Sequence, residues 1–325
     1  MTLDKAVRAV PRGFSERVRR YRHLGLPLVF VLTVVIFSLL RPGDFDTWSN
    51  VRSILVQSSP ALILVTGLTV VLAVGDFDLS FTMLLDVVSV VAILGMTSWH
   101  LGVSGSLLLA TAVGLVLGAV VGAAVSRLKS SLVVTLAFGG AFTGMALAIH
   151  ESSIIVALPQ SFLDISGGSV GPLPRPIVIA AVFATSIALV FRFTRLGREV
   201  RAVGGNQTAA RLAGINTSRV RVAAFAIMGL AVAVAAIVVS SQNSAYYPNS
   251  STGLLLPSYV TAFLGVSMSR RGHFTVLGSV VGVLFLNTLQ AGLLLLNQPQ
   301  WVVNVVSAFV LLAALAFGRK AKSDV

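Results

Sequence analysis

The residues able to do chemistry are few, and they gather at the edges of apolar runs. Gly75-Asp76-Phe77-Asp78-Leu79-Ser80 carries two carboxylates and no basic residue beside them. A carboxylate costs about 2.5–3.5 kcal/mol to insert at the centre of a bilayer, so acids at the edge of a span face a cavity or a partner. Two readings of Asp78 stand: an exposed cap on the helix that follows, assisted by Ser80, or the residue that orders a broken-helix turn beside a transport route. Asp86 lies a turn or two further on, shares a helical face with Met83 and Val90, and requires a polar neighbour inside the membrane. A structural hydrogen bond fits it better than a proton relay, because its span contains no His, Lys or second acid. The four histidines, His23, His100, His150 and His273, lack the i, i+4 spacing of a helical metal site, and the chain has no cysteine. No metal site, thiolate nucleophile or disulfide is therefore expected. No GxxxxGK[ST] phosphate loop, GxSxG elbow or HExxH helix is read in the chain, so no catalytic residue is assigned and neither ATP hydrolysis nor ordinary hydrolase chemistry is expected of it.

The stretch from Thr194 to Ile215 points to a binding role instead. Asn206 suits an N-cap, because its amide oxygen can accept from a free N–H of the first turn, and Gly214 suits the left-handed residue after the last turn. Ala209, Ala210, Leu212 and Ala213 between them make a small apolar face. Isolated helices need about 12–15 residues to be stable in water, so a helix this short calls for a surface to dock on. The plainer alternative is a solvated loop whose arginines only enforce topology, but topology needs no helix capped at both ends.

The elements that position these residues are apolar throughout. Of 325 residues 56% are hydrophobic and only 11% charged, against roughly 25% charged in an ordinary soluble domain. The composition predicts an all-α, polytopic transmembrane bundle. Its runs fall at 24–40, 54–74, 79–97, 104–125, 131–149, 176–193, 222–240, 257–268, 274–296 and 300–317. About 17–25 residues are needed to cross, so 257–268, which starts at Pro257, reads as a broken or half helix. With ten segments and the N-terminus in the cytoplasm, 21 Lys and Arg fall inside and only Arg41, Arg52 and Arg175 outside. Both termini are then cytoplasmic. The divisions are a basic N-terminal segment over 1–23, a transmembrane domain over 24–317 with a cytoplasmic loop at 194–221, and a cytoplasmic tail over 318–325. The first run reads as an uncleaved anchor with Arg17, Arg19, Arg20 and Arg22 near anionic lipid headgroups. The net charge of +13 is distributed for membrane orientation and not as a nucleic-acid groove.

The run Arg201-Ala202-Val203-Gly204-Gly205-Asn206, then Ala209-Ala210-Arg211-Leu212, Gly214-Ile215-Asn216 and Arg219-Val220, resembles the cytoplasmic coupling motif of ribose-type ABC importer permeases. Gly75, Asp78, Leu79 and Ser80 resemble that family's Gly-x-x-Asp-Leu-Ser element, and the similarity runs from about residue 50 to the C-terminus. Two departures accompany it: only Gly265 and Gly272 remain where the family has paired glycines before the ninth span, and Thr82 replaces a common glycine. The resemblance implies two permease chains, the same or paralogous, two cytoplasmic ABC ATPases that use the ATP, and an extracytoplasmic binding protein delivering a sugar across a bacterial inner membrane. No cofactor is expected on the permease itself. It implies an ATPase-coupling surface of Arg198, Gly204, Gly205, Asn206, Ala209, Ala210, Arg211, Leu212, Gly214 and Ile215. Candidates for the translocation path are Asp78, Ser80, Ser58, Asn287 and Gln290. Gln160, Gln242, Asn243, Tyr246 and Tyr247 in the outer loops suit contact with the binding protein. An ion-coupled secondary transporter is the main alternative, disfavoured by the absence of paired charges in mid-span. ABC permeases for nucleosides or branched-chain amino acids are relatives, and the Gly-Gly-Asn run favours the sugar branch.

Overall fold

A computed structural model describes residues 25–155, 157–269 and 272–319, with side chains through residue 310. The basic segment 1–23, Arg270, Arg271 and the tail beyond 319 lie outside the described residues. Each of the ten apolar runs is a helix. In chain order the helices are α1 (Gly25–Leu40), α2 (Trp48–Val74), α3 (Phe81–Thr97), α4 (Gly102–Leu128), α5 (Ser131–Ile149), α6 (Gln160–Gly167) and α7 (Arg175–Phe193). There follow α8 (Arg195–Gly205), α9 (Gln207–Leu212), α10 (Thr217–Asn243), α11 (Leu255–Val266), α12 (Val276–Leu295) and α13 (Gln300–Arg319). Among the described residues, α2, α4, α5, α7, α10 and α12 are long and apolar enough to cross a membrane by length and composition. The remaining apolar helices α1, α3, α11 and the first part of α13 are shorter.

Polar caps carry several helices past the apolar runs that announce them. Thr47 accepts from the Asn50 N–H at 3.2 Å, so α2 begins six residues before the run at 54. Asn216 accepts from the Arg219 N–H at 3.1 Å and starts α10 at Thr217 instead of 222. The segment between α5 and α7, read from sequence as an outer loop, contains α6 and a two-stranded hairpin, Ser169–Val170 paired with Leu173–Pro174. Contrary to the sequence reading, Gly167-Gly168-Ser169-Val170-Gly171 does fit the G-x-S-x-G pattern, but it runs from the end of α6 into this hairpin and not through a strand-to-helix elbow.

Helices α2 and α10, each of 27 residues, form the centre. Their most apolar windows are 72% and 56% buried, against 28–33% for α4, α5 and α7. Helix α10 packs on α2, α3 and α4, while α12 packs on α2 and α11. Lipid is as apolar as leucine, so close approach of backbones must supply the cohesion. On α4, Gly114, Gly118 and Gly122 recur every fourth residue against α10. A Cβ at Gly118 would come within 2.5 Å of the Phe225 carbonyl oxygen, and one at Gly114 within 2.6 Å of that of Gly229. The glycine pair expected before the ninth span is thinned in sequence, yet close packing persists there: Gly265 of α11 lies directly against Gly278 of α12.

Two interruptions shape the bundle. Pro60 lies inside α2 and cannot donate to the Val56 carbonyl. The Gln242 side chain of α10 donates to that carbonyl instead, at 3.0 Å. Helix α11 has 12 residues, about 18 Å of rise, too little for a hydrocarbon core of about 30 Å. It is entered from segment 244–254, in which Ala245, Tyr246 and Ser251 are buried.

Candidate functional site

The stretch 194–216 contains two helices, not the single one its Asn and Gly caps announce. Thr194 starts α8 by accepting from the Gly197 N–H at 3.3 Å. Leu196, Val200 and Val203, at i, i+4 and i+7, turn one face into a cluster with Val70, Val74, Phe191 and Val220. That spacing was the available signal, hidden among arginines. The Arg201 guanidinium donates to the Phe191 carbonyl at 2.7 Å, near the C-terminal end of α7 where carbonyls lack helical partners. Gly204 abuts the Ala73 carbonyl oxygen so closely that any side chain would collide with it, so this glycine seats α8 on the end of α2.

Helix α9 is closed at both ends. Asn206 Oδ1 accepts from the Ala209 N–H at 2.9 Å. Gly214, at φ +81°, donates to Arg211 and the Ile215 N–H reaches back to Ala210, each at 3.0 Å, a Schellman closure. The apolar face expected of this helix is divided. Ala210 is buried, whereas Ala209, Leu212 and Ala213 are exposed, Leu212 at 85%. Arg198 and Arg211 are also exposed, nothing lies near Gly205, and Ile215 is half-buried. Leu212 thus stands exposed on a helix capped at both ends, beside the exposed Arg211.

The loop 75–80 differs from its sequence reading in two respects. Asp76 does have a basic partner: Arg221, more than 140 residues away in sequence, places Nε 2.8 Å from Asp76 Oδ2, with both side chains largely buried. Only tertiary folding brings it there. Arg221 Nη2 also donates to Gln207 Oε1 of α9 at 3.3 Å, so one guanidinium joins loop and platform. Asp78, moreover, is not an exposed cap but 3% exposed. Its Oδ1 accepts from the Ser80 N–H at 2.8 Å and the Ser80 hydroxyl at 2.6 Å. Tyr259 of α11 clamps its backbone, its hydroxyl accepting from the Asp78 N–H at 3.0 Å and donating to the Asp78 carbonyl at 2.6 Å. Ser131 and Thr135 of α5 take the Phe77 and Leu79 N–H groups at 3.2 and 3.1 Å. Burial pushes the Asp78 carboxyl up to about 6, with the Ser80 hydrogen bonds acting in the opposite sense.

The five path candidates do not form one site. Asn287 and Gln290 of α12 line a cavity of about 220 Å³ together with Gln57 of α2 and Gln300 of α13, two residues the sequence reading missed. Their common signal is an uncharged carboxamide in or beside an apolar run. Asn287 donates to the Val283 carbonyl at 3.0 Å and Gln290 to the Ser307 hydroxyl at 3.3 Å, leaving acceptor oxygens for a ligand. Ser58 is fully buried with an unpartnered hydroxyl and does not line this cavity, and Asp78 and Ser80 are enclosed in their loop. Of the outer-loop contact candidates, Gln160, Asn243 and Tyr247 are exposed. Gln242 is engaged with Val56, and Tyr246 is 2% exposed, so neither is free for contact. The polar neighbour required by Asp86 comes from outside its helix: Ser251 stands beside its carboxylate.

An all-α bundle with a proline-bearing central helix, a half-length helix and two short helices packed on its end fits a polytopic membrane protein. The comparison with known proteins makes this specific. Residues 50–315 match the family model for the branched-chain amino acid transport system / permease component, and the chain belongs to that family. It is 32% identical to the L-arabinose ABC transporter permease protein of Azospirillum brasilense over 91% of this chain and 87% of that one. It is likewise 32% identical to the galactofuranose transporter permease protein of Escherichia coli K12, over 91% of this chain and 90% of that one. The ribose import permease protein of the same organism is 28% identical over 90% of this chain and 92% of that one. No solved structure matches the chain.

Proposed function

We propose that this chain is the membrane-spanning permease subunit of an ATP-driven, binding-protein-dependent importer that carries a monosaccharide or related small polyol across the bacterial inner membrane. Ten segments, with both termini in the cytoplasm, place the α8–α9 platform on the cytoplasmic side. A separate ABC ATPase grips it there. The observation that carries the reading is that platform: a helix capped at both ends, seated on the core through Gly204 and Ala210, offering an 85% exposed Leu212 outward.

The cycle follows from differential affinity. ATP binding closes a pair of ATPases and displaces the platforms of two permease chains, while a loaded binding protein favours the outward-open state. The Arg221 guanidinium, touching both Gln207 and Asp76, carries that displacement toward the loop held by Tyr259. Hydrolysis resets the pair.

A neutral polyol suits the carboxamide-lined cavity better than an amino acid does. An ammonium and a carboxylate leaving water would each require a charged partner, and Gln57, Asn287, Gln290 and Gln300 offer only neutral donors and acceptors. The relatives named for arabinose, ribose and galactofuranose support the same choice. The test is reconstitution in liposomes with the cognate ATPase and binding protein. ATP-dependent uptake of L-arabinose or D-ribose, with hydrolysis stimulated by loaded binding protein, is expected. Uptake driven by an ion gradient without the ATPase would replace this reading with a secondary transporter.

A further inference from the structure

Helix α3 carries a polar stripe through an otherwise apolar interior. Thr82, Asp86 and Ser89, at i, i+4 and i+7, share one face and are all buried, at 0%, 3% and 5% exposure. The stripe is met by segment 244–254, which leads from α10 into the half-length α11. Ser251 donates its hydroxyl to the Thr82 carbonyl and stands beside the Asp86 carboxylate. Tyr246, held among Val90, Ile93 and Leu94 of α3, brings its hydroxyl within electrostatic reach of the same carboxylate.

Among the described residues, three polar atoms on this seam have no hydrogen-bond partner: Asp86 Oδ1, Ser89 Oγ and Tyr246 Oη. Unmet polar atoms concentrated on one seam of an apolar bundle are unfavourable unless another state or a ligand satisfies them. Their chemistry is that of a hydroxyl binder. The carboxylate, when ionised, is an acceptor alone, and the two hydroxyls can both donate and accept.

We propose that Asp86, Ser89 and Tyr246 form a second, deeper contact point for a polyol on its way through the bundle, sealed in this conformation between α3 and segment 244–254. The proposal rests on the permease reading above and adds to it a substrate-contacting seam distinct from the carboxamide-lined cavity. Segment 244–254 closes the seam and α11 anchors to the Asp78 loop through Tyr259, so a movement of that half-helix would open it.

The absence of native cysteine allows a direct test. In the reconstituted transporter, Ser89→Cys is exposed to a hydrophilic thiol reagent and labelling is read on this chain, with Val88→Cys as an apolar control. Labelling of Ser89→Cys only during ATP turnover, reduced by L-arabinose- or D-ribose-loaded binding protein, with Val88→Cys silent throughout, is expected. Tyr246→Phe, which removes one oxygen and preserves packing, is expected to lower sugar carried per ATP by roughly tenfold, with melting temperature and stimulated hydrolysis unchanged. No labelling of Ser89→Cys in any state, labelling indifferent to sugar, or a Tyr246→Phe effect confined to melting temperature would each overturn the seam while uptake by the wild type left the permease reading intact. A wild type that carries no monosaccharide, pentose or hexose, would remove the sugar reading and this site with it.

Discussion

Ala210 and Leu212 are two residues apart on a helix of less than two turns, and they do opposite work. Ala210 is buried against the bundle; Leu212 projects from it. An exposed leucine contributes nothing to the fold, so Leu212→Asp is expected to leave insertion and melting temperature unchanged while abolishing ATP-driven uptake, measured in the same proteoliposomes. Retained uptake would move the ATPase contact elsewhere. Asp78 shows the reverse situation, a polar residue enclosed by structure. With its carboxyl raised to about 6 from an ordinary value of 3.8, the folded protein holds a proton that the unfolded chain has released between those two values. Stability from this group therefore falls as pH rises from about 4 to 6 and is level above. Asp78→Asn, which preserves an acceptor for Ser80, should gain on the wild type by on the order of a few degrees in melting temperature across that interval. A constant difference from pH 4 to pH 8 would refute the assignment.

At the scale of elements, glycine decides which helices touch. Gly118→Leu on α4 would drive a side chain into the Phe225 backbone of α10, and overpacking of this kind costs about 1–3 kcal/mol or more. Gly144→Leu on α5, where nothing lies within 4 Å, is the matched control. Unfolding in mild detergent should separate them clearly, and equal stability would mean that α4 and α10 are not held by backbone approach. The platform shows how two elements support each other. Helix α9 has six residues and could not persist alone. It persists because α8 is bound to α2 by Gly204 and to the core by Val200 and Val203, and because Arg221 of α10 reaches Gln207. The same guanidinium pairs with Asp76 in a largely buried setting, where losing one partner would leave an uncompensated charge. Loop and platform are thus expected to move together.

For the whole molecule, the orientation inferred from 21 inner and three outer basic residues is open to a simple check in intact cells. Asn297→Cys, in the exposed turn between α12 and α13, should react with an impermeant thiol reagent from outside, and Ala209→Cys on α9 only after permeabilisation. Reaction of both from one side would break the ten-segment arrangement. The ten apolar helices were legible in the sequence because each carries a run of apolar residues, six of them long enough to cross a membrane, and caps such as Asn206 and Gly214 act within a few residues of themselves. Helix α8 was not, because its buried face of Leu196, Val200 and Val203 is interleaved with arginines that dominate composition. What sequence by itself determined was therefore local: the apolar helices, the cap-to-cap helix α9 and the family motif. Only the tertiary structure decided the pairing of Asp76 with Arg221, the clamp of Tyr259 on Asp78, the rescue of the Val56 carbonyl by Gln242 and the convergence of Gln57, Asn287, Gln290 and Gln300. Each joins groups from different elements, and which faces of the helices meet depends on backbone contacts at glycines that no hydropathy pattern reports.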